Sequence, residues 1–373
     1  MLNFALHLDS SKIKSTSKKK RSVMQRLIYP VLGVVLCLFC GCATTAKIVM
    51  RDDPLIGTVV KGDTGEPVRF AGLMDTLIHS DIIYLSEKHD NPMHHAIQHR
   101  IIQTLIDQGH APILGFEFFS YQDTPLLLNL VDVGKKTHPP KMENAVEQRI
   151  REKLGWEKQS DTMWGYYWDL IRLAADNNFP AAGLDLSATQ KRRITRKGLD
   201  GLSPIELVQL FSTGLSNTAY ESYMKSIFVS VHCGMDHAQM TDRLYDTWVA
   251  RNDRMALSVV ELFNAVQTQD RDEAGRKTGP VVIIIGAGHT EYGLGVLDRV
   301  HHLKPTATQT NIAITEIERE PTDLAQYLKP LSLEGFDPVP PADFLWFTQR
   351  ASYDDPCEKF KSVLEKMRKR KKS

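Results

Sequence analysis

The chain has 373 residues, of which 42% are hydrophobic and 24% are charged, a composition typical of a globular protein that buries a sizeable core. Its 46 basic and 45 acidic residues give a formal net charge of +1, so no overall positive field is available to bind nucleic acid. Five cysteines are too few for a disulfide framework, although they leave room for a single disulfide.

The first fifty residues are typical of a targeting signal rather than of a folded domain. A basic stretch at 18–26 precedes an apolar run at 27–39, which is about half of the ~20 residues needed to span a bilayer. Small residues and Cys42 follow this run, as in a bacterial lipoprotein signal. We therefore interpret residues 1–42 as a lipoprotein-type signal peptide and 43–54 as a tether.

Lipidation of Cys42 would attach the protein to a membrane of the bacterial cell envelope, and we favour the outer membrane over the inner. A plain cleaved signal peptide and an uncleaved anchor are the alternatives. Met24 is an alternative start, because Arg26 would then begin the basic region of the signal. Once the signal is removed, Cys233 and Cys357 remain, and one disulfide between them is possible.

Apolar runs and turn residues predict alternating strands and helices after the tether. The predicted strands lie at 56–60, 81–86, 112–118, 179–184, 280–286 and 311–317. The predicted helices lie at 70–79, 91–107, 123–133, 143–154, 164–178 and 236–265. Asn91 can cap the second helix, and Pro92 suits its first turn.

This alternation predicts an α/β fold with a mostly parallel sheet flanked by helices. We place the α/β domain at 55–318. Within it, residues 188–266 are almost entirely helical in pattern, so we expect a helical subdomain there. We interpret residues 319–373 as a peripheral C-terminal segment with a basic tail at 366–372.

Acidic and imidazole side chains follow the predicted strands at their carboxyl ends. Glu87 and His89 follow the 81–86 strand, Glu117 closes the next strand, Asp185 follows the third, and His289 follows the 280–286 strand. Because parallel strands end at the same edge of a sheet, we expect these side chains to share one cleft.

Two chemistries fit Glu87, His89, Glu117 and His289. These residues could bind a divalent metal such as Zn²⁺, Mn²⁺ or Fe²⁺, or they could form a general acid/base pair. The glycines of Gly286-Ala287-Gly288 would allow a ligand close to the backbone, but their spacing does not match a dinucleotide-binding motif.

Further candidate ligands lie on two predicted helices. His94 and His95 follow Asn91 at the start of the second predicted helix. No glutamate stands beside these histidines, so they do not form the HExxH motif of a metalloprotease. Arg251 and Asn252 on the long helix could hold an anionic group, or they could belong to a solvated helix face. The aromatic cluster at 164–168 could pack in the core or stack on a flat ligand.

These motifs together resemble ChaN-type haem-binding lipoproteins, which share a superfamily with the Tiki and TraB proteins. Residues 87–98, with Glu87, His89, His94, His95 and Gln98, resemble the opening motif of that family. The second GxxH motif is intact at 286–289, whereas the first reads Ser86-Glu87-Lys88-His89, with serine in place of glycine. Glu117 completes the glutamate pair, and Arg251-Asn252 matches the helical element.

The resemblance implies a parallel sheet with a smaller helical subdomain and a role in haem binding and iron acquisition. It also implies a homodimer that brings two haems face to face. The family associates haem ligation with tyrosine and a nearby histidine, so Tyr121, Tyr166 and Tyr167 are the candidate tyrosines. The candidate histidines are His89, His94, His95 and His289.

Tiki-like relatives imply a different function, metal-dependent peptide cleavage. In that case Glu87, Glu117, Arg251 and Asn252 would be the catalytic residues. A third alternative is a cell-envelope interaction module whose cleft is vestigial. We expect a lipid-anchored haem-binding protein rather than an enzyme, with haem as its partner and no nucleic acid.

Overall fold

The computed structural model describes residues 52–134, 143–208, 218–234 and 238–355, together with 210, 357, 358 and 361. The expected signal peptide with Cys42, nearly all of the tether and the basic tail lie outside the described residues. Within the described part of the chain, no helix is long and apolar enough to cross a membrane.

The strands form one seven-stranded sheet in the described chain, in the order β1-β7-β6-β2-β5-β3-β4. They are β1 Val59–Lys61, β2 Ile82–Glu87, β3 His110–Ser120, β4 Ala181–Asp185, β5 Lys277–Gly286, β6 Gln309–Glu316 and β7 Phe344–Thr348. Every neighbouring pair is parallel except β1 with β7, which is antiparallel. The predicted α/β fold with a mostly parallel sheet is confirmed.

Helices connect the parallel strands. They are α1 Phe70–Leu77, α2 Pro92–Asp107, α3 Thr124–Gly134, α4 Glu143–Lys153, α5 Asp161–Asp176, α6 Ala188–Lys197, α7 Pro204–Val208, α8 Thr218–Val231, α9 Ala238–Gln267, α10 Val296–Leu303 and α11 Leu324–Tyr327. Helix α2 begins as expected, because the side chain of Asn91 accepts a hydrogen bond from the backbone N–H of Met93 and Pro92 follows it.

The central strand β2 shows why the sheet is covered on both faces. All six of its residues are buried, and successive side chains point to opposite faces. Ile83 packs with α2 and α5 in one apolar cluster, and Tyr84 packs with α9 and α10 in the other. A continuous apolar run such as 82–85 is the pattern expected of a strand buried between two helical layers.

Strand β7 corrects the interpretation of residues 319–373 as peripheral. Its five residues Phe344–Thr348 are all buried, and they pair with β6 and β1. The sheet therefore continues beyond residue 318, the predicted end of the α/β domain. The run is short and follows a proline-rich stretch, and an apolar run of this length gives no periodicity that separates a strand from other buried segments.

The described elements between 188 and 266 are helical, as the sequence predicts. A disulfide joins Cys233, just after α8, to Cys357 near the C-terminus, with the two Cα atoms 5.5 Å apart. The one disulfide that the cysteine count allowed is therefore formed, and it ties the C-terminal segment to the helical region.

Candidate functional site

The carboxyl ends of β2, β3, β4 and β5 meet at one edge of the sheet, which we call the carboxyl edge. Glu87 lies beside Gly286 in the register of β2 with β5. A Cβ atom on Gly286 would lie 2.7 Å from Cε1 of His89 and 3.2 Å from Oε2 of Glu117. The glycine therefore allows both side chains to pack against the β5 backbone, and the expected cleft residues do come together.

Glu87 is the buried centre of one half of this site. Its Oε1 accepts hydrogen bonds from the Tyr167 hydroxyl and from Nδ1 of His89, the latter at 2.9 Å. Its Oε2 accepts from the side-chain amide of Gln98 at 2.5 Å. These donors compensate the carboxylate for the loss of water, as a buried charge requires.

His89 is the accessible member of this half, with 37% of its side chain exposed. Its ring lies edge-on to Phe118, with 4.3 Å between the ring centroids. Burial lowers the pKa of His89, but the hydrogen bond to Glu87 and the negative charge of Glu117 outweigh it and raise the pKa above 6.5. We call Glu87, His89, Gln98 and Tyr167 the open half of the site.

Glu117 is the centre of the other half. Its Oε1 accepts a hydrogen bond from Nη2 of Arg251 at 2.5 Å, and its Oε2 accepts from the backbone N–H of Gly286 at 2.6 Å. Nε of Arg251 donates to Asp185 at 2.9 Å, and Lys191 donates to the same oxygen at 2.6 Å. Burial raises the pKa of Glu117, but the adjacent His289 and Arg251 outweigh this and hold it well below 4.5.

His289 is buried in this second half. Its Nδ1–H donates to Oδ1 of Asn252 at 2.9 Å, and its Nε2 lies 3.4 Å from Oε1 of Glu117. Burial, reinforced by the positive charge of Arg251, lowers the pKa of His289 below 6.5. We call Glu117, His289, Arg251 and Asn252 the closed half of the site. The pKa of its histidine is lowered, whereas the pKa of the histidine in the open half is raised.

The two histidines at the start of α2 use both of their ring nitrogens within the protein. Nδ1 of His94 accepts from the N–H of Lys88 at 2.8 Å, and its Nε2 lies 3.0 Å from Oγ1 of Thr348. Burial lowers the pKa of His94 to about 3. Nε2 of His95 donates to the carbonyl oxygen of His89 at 2.9 Å, and its Nδ1 lies 3.0 Å from Oε1 of Gln98. This arrangement leaves neither histidine with a ring nitrogen for an iron ion.

The three candidate tyrosines lie in different places. Tyr167 is fully buried and donates its hydroxyl to Glu87. Tyr166 is half-buried, and its ring stacks on His95 with 4.5 Å between centroids. Tyr121 instead packs beneath the guanidinium group of Arg254 at 4.7 Å. The structure therefore brings Tyr166 close to the open half and uses Tyr167 as a support for Glu87.

The proposed metal set of Glu87, His89, Glu117 and His289 is assembled, but not as a metal centre. No group of three or more described histidine, cysteine, aspartate or glutamate side chains is arranged to hold a metal ion. Each carboxylate instead accepts hydrogen bonds from other protein groups, among them Tyr167 on Glu87 and Arg251 on Glu117. The divalent-metal alternative thus gains no support from this geometry.

Sequence reasoning missed several partners of these residues. Tyr167 donates to Glu87 from a helix 80 residues further along the chain, and Gln98 donates to it from the helix that follows the Glu87 strand. Ser86, which replaces the family glycine, lies 2.6 Å from the Thr290 hydroxyl and donates to Oδ1 of Asn311 at 2.7 Å. Its side chain therefore links the first GxxH-like motif to the loop of the second.

The fold and the paired Glu/His motifs at the carboxyl edge define an α/β protein with one composite site. The family model described as haem-binding uptake, Tiki superfamily, ChaN matches residues 73–300, and the chain belongs to this family. Search of the curated proteins finds no match.

A solved structure of ChaN from Campylobacter jejuni, which describes cofacial haem binding, is similar to this chain at 15% identity. The match covers 77% of this chain and 95% of the Campylobacter jejuni chain. Its TM-score of 0.55 shows that the two proteins share a fold. A type III effector is 13% identical over 74% of this chain and 92% of its own, with a TM-score of 0.36. An erythromycin esterase is 12% identical over 77% of this chain and 82% of its own, also with a TM-score of 0.36. Neither of these two similarities carries a functional argument.

Proposed function

We propose that this protein binds haem at the carboxyl edge, with His89 as the iron ligand. The observation that carries the proposal is the state of the His89 ring. Its Nδ1 is held by Glu87, and the side chain is 37% exposed. Within the described part of the chain, Nε2 of His89 has no hydrogen bond, so it is the histidine nitrogen of the site that a ligand can reach.

The hydrogen bond to Glu87 suits His89 for binding iron. A carboxylate that accepts the proton of one ring nitrogen fixes the ring orientation and makes the other nitrogen a stronger ligand. Haem, when bound, supplies an iron with open axial positions and a flat apolar ring. The half-buried ring of Phe118 lies edge-on to His89, and the half-buried ring of Tyr166 stacks on the neighbouring His95, so both provide aromatic surface for such a ring.

Tyr166 is the alternative iron ligand. A tyrosinate oxygen is a hard ligand that suits ferric haem, which fits capture of haem rather than electron transfer. Tyr166 stacks on His95, whose Nε2 donates to the backbone of His89, so the two candidate ligands belong to one connected cluster.

Export, lipid anchoring at Cys42 and a role in iron acquisition belong to the same proposal. The basic and apolar pattern of residues 18–42 supports export. The disulfide between Cys233 and Cys357 also supports it, because disulfides persist in oxidising compartments such as the cell envelope. A homodimer that holds two haems remains part of the family expectation.

Titration of hemin into the full chain, purified in detergent, tests haem binding. We expect a saturable Soret band at a defined stoichiometry. His89→Ala should weaken binding by at least tenfold if His89 is the ligand, whereas Tyr166→Phe should do so if the tyrosinate is. His99→Ala is the matched control, because His99 is exposed on the same helix as the cleft histidines.

A band that never saturates would remove the haem proposal, and equal hemin affinity of all variants would remove both ligand assignments. Metal-dependent hydrolysis by Glu87, Glu117, Arg251 and Asn252 has weaker support, because Arg251 and the Gly286 N–H already occupy Glu117. Metal analysis of protein purified without chelator tests that alternative directly.

A further inference from the structure

The hydrogen bonds of the open half converge on one carboxylate, that of Glu87, whose side chain is 0% exposed. Its Oε1 accepts both from Nδ1 of His89 at 2.9 Å and from the hydroxyl of Tyr167. Its Oε2 accepts from the side-chain amide of Gln98 at 2.5 Å. A carboxylate oxygen that accepts two hydrogen bonds divides its negative charge between them. His89 and Tyr167 therefore compete for the charge of the same oxygen atom.

The second ring nitrogen of His89, Nε2, is the one that a ligand can reach. The side chain is 37% exposed, and Nε2 is not among the buried unsatisfied polar atoms of the described chain. His95 differs, because both of its ring nitrogens form hydrogen bonds within the protein. A ligand on Nε2 of His89 is thus separated from the charge of Glu87 by one imidazole ring.

This arrangement has an electrostatic consequence for iron on Nε2. A carboxylate that accepts the proton of one ring nitrogen makes the other nitrogen a stronger electron donor. Ferric iron carries one more positive charge than ferrous iron, so it gains more from such a donor. Hydrogen bonding behind the axial ligand is one of the ways in which a protein sets the reduction potential of haem iron. Burial of Glu87 strengthens the effect, because water does not screen the charge.

Tyr167 acts on the same charge in the opposite direction. Its hydroxyl stabilises the Glu87 carboxylate, so it weakens the pull of that carboxylate on the proton of His89. The ring of Tyr167 is fully buried and packs against Phe118 and Trp156, with 4.6 Å and 5.3 Å between ring centroids. This packing holds the hydroxyl at Glu87. Tyr167 is therefore a positioning residue that reaches the ligand only through Glu87 and His89.

We propose that Glu87 makes the open half selective for ferric over ferrous haem and that Tyr167 limits the strength of this preference. The inference rests on the proposed function, since it requires haem bound through His89. The disulfide between Cys233 and Cys357 supports it, because disulfides persist in oxidising compartments, where free haem iron is ferric. The substrate class is then hemin rather than reduced haem.

Spectroelectrochemical titration of the hemin-loaded full chain in detergent tests the proposal. The midpoint potential of bound iron, compared with that of unbound haem in the same detergent, gives the ratio of ferric to ferrous affinity. We expect this ratio to exceed one in the wild type, so the potential of the bound iron lies below that of the unbound haem.

Two substitutions should move the affinity ratio in opposite directions. Glu87→Gln keeps an acceptor for His89 but removes the negative charge. It should lower the ratio at least about tenfold, a rise in potential of about 59 mV for a one-electron couple. Tyr167→Phe should raise the ratio, because it frees charge on the oxygen that faces His89. General loosening of the site would instead move both variants in the same direction.

Resonance Raman spectroscopy of the reduced protein supplies a second measurement. The stretching frequency of the bond between iron and His89 should fall in Glu87→Gln and rise in Tyr167→Phe. His99→Gln, at an exposed position of the same helix as Gln98, should change neither the frequency nor the potential. If Glu87→Gln does not fold, Glu87→Asp withdraws the carboxylate by one methylene and should lower the affinity ratio by a smaller factor.

Three results would overturn the inference while hemin still binds with a saturable Soret band. They are a wild-type affinity ratio below one, an unchanged potential in Glu87→Gln, and a shift of Tyr167→Phe in the same direction as Glu87→Gln. A shift in Tyr166→Phe without one in Glu87→Gln would assign the ferric preference to a tyrosinate instead. Absence of a saturable band would remove the haem proposal as well, so the two failures are distinguishable.

Discussion

The open and closed halves of the carboxyl edge are built from the same residue types but have opposite properties. Each consists of a buried glutamate and a histidine contributed by a strand end. In the open half the pKa of His89 is raised, because Glu87 and Glu117 outweigh its partial burial. In the closed half the pKa of His289 is lowered, because the ring is fully enclosed and Arg251 lies beside it.

The difference shows that the motif alone does not decide the role of its histidine. Nδ1 of His89 faces a carboxylate, whereas Nδ1 of His289 faces the neutral amide of Asn252. Arg251 donates to Glu117, whereas the donors to Glu87 in the described chain are Tyr167, Gln98 and His89. The haem proposal therefore assigns contact with the ligand to the open half and a supporting role to the closed half.

The largest effect is expected from Arg251→Ala. This substitution leaves Glu117 and Asp185 buried without their shared cation, and breaking a buried pair costs about 3–5 kcal/mol. The free energy of unfolding from denaturant titration measures this cost. Arg192→Ala, at an exposed position of α6, should change stability by less than about 0.5 kcal/mol. Equal effects of the two substitutions would show that the closed half is not a stabilising element.

The buried His94 predicts a loss of stability in acid. Its folded pKa of about 3 lies below the ordinary 6.5, so the unfolded chain binds protons more strongly as pH falls below 6.5. Between pH 6.5 and 5 this lowers the free energy of unfolding by about 2 kcal/mol. The free energy of unfolding that the wild type loses between pH 7 and pH 5 should be smaller by about that amount in His94→Gln. The exposed control His99→Gln should lose as much as the wild type. Equal acid sensitivity of both variants and the wild type would contradict the assignment.

Tyr167→Phe tests the support of the open half. It removes a buried hydroxyl that donates to Glu87, so we expect a loss of about 1–3 kcal/mol in the free energy of unfolding. Tyr166→Phe, at the neighbouring half-buried position of the same helix, should cost less than about 0.5 kcal/mol. If Tyr166→Phe proves as costly as Tyr167→Phe, the Glu87 network does not explain the effect.

The smallest effect concerns the two histidines themselves. In a nuclear magnetic resonance titration, the ring of His89 should titrate above pH 6.5 and that of His289 below it. His89 therefore contributes stability that is present below pH 6.5 and lost as pH rises through its folded pKa, and His289 contributes in the opposite sense. Glu87→Gln should lower the pKa of His89 and leave that of His289 nearly unchanged. Coincident titration of both rings would remove the distinction between the halves.

The sequence was sufficient for the central strands, because segments such as 82–85 and 281–285 are continuous apolar runs that end abruptly. It also predicted which side chains share the carboxyl edge, since parallel strands all end there. Strand β7 was missed because a run of four apolar residues and a threonine carries no usable period. The unequal halves could not be predicted either, because they depend on contacts such as Tyr167 with Glu87 across 80 residues of chain.

The most direct test of the account is a hemin titration of His89→Ala and His289→Ala side by side. These variants make the same change in the two halves of one site. If the open half contacts the ligand through His89, His89→Ala loses at least tenfold in hemin affinity, and His289→Ala, when folded, retains an affinity close to that of the wild type. Retention of the saturable Soret band by His89→Ala together with its loss in His289→Ala would contradict the account.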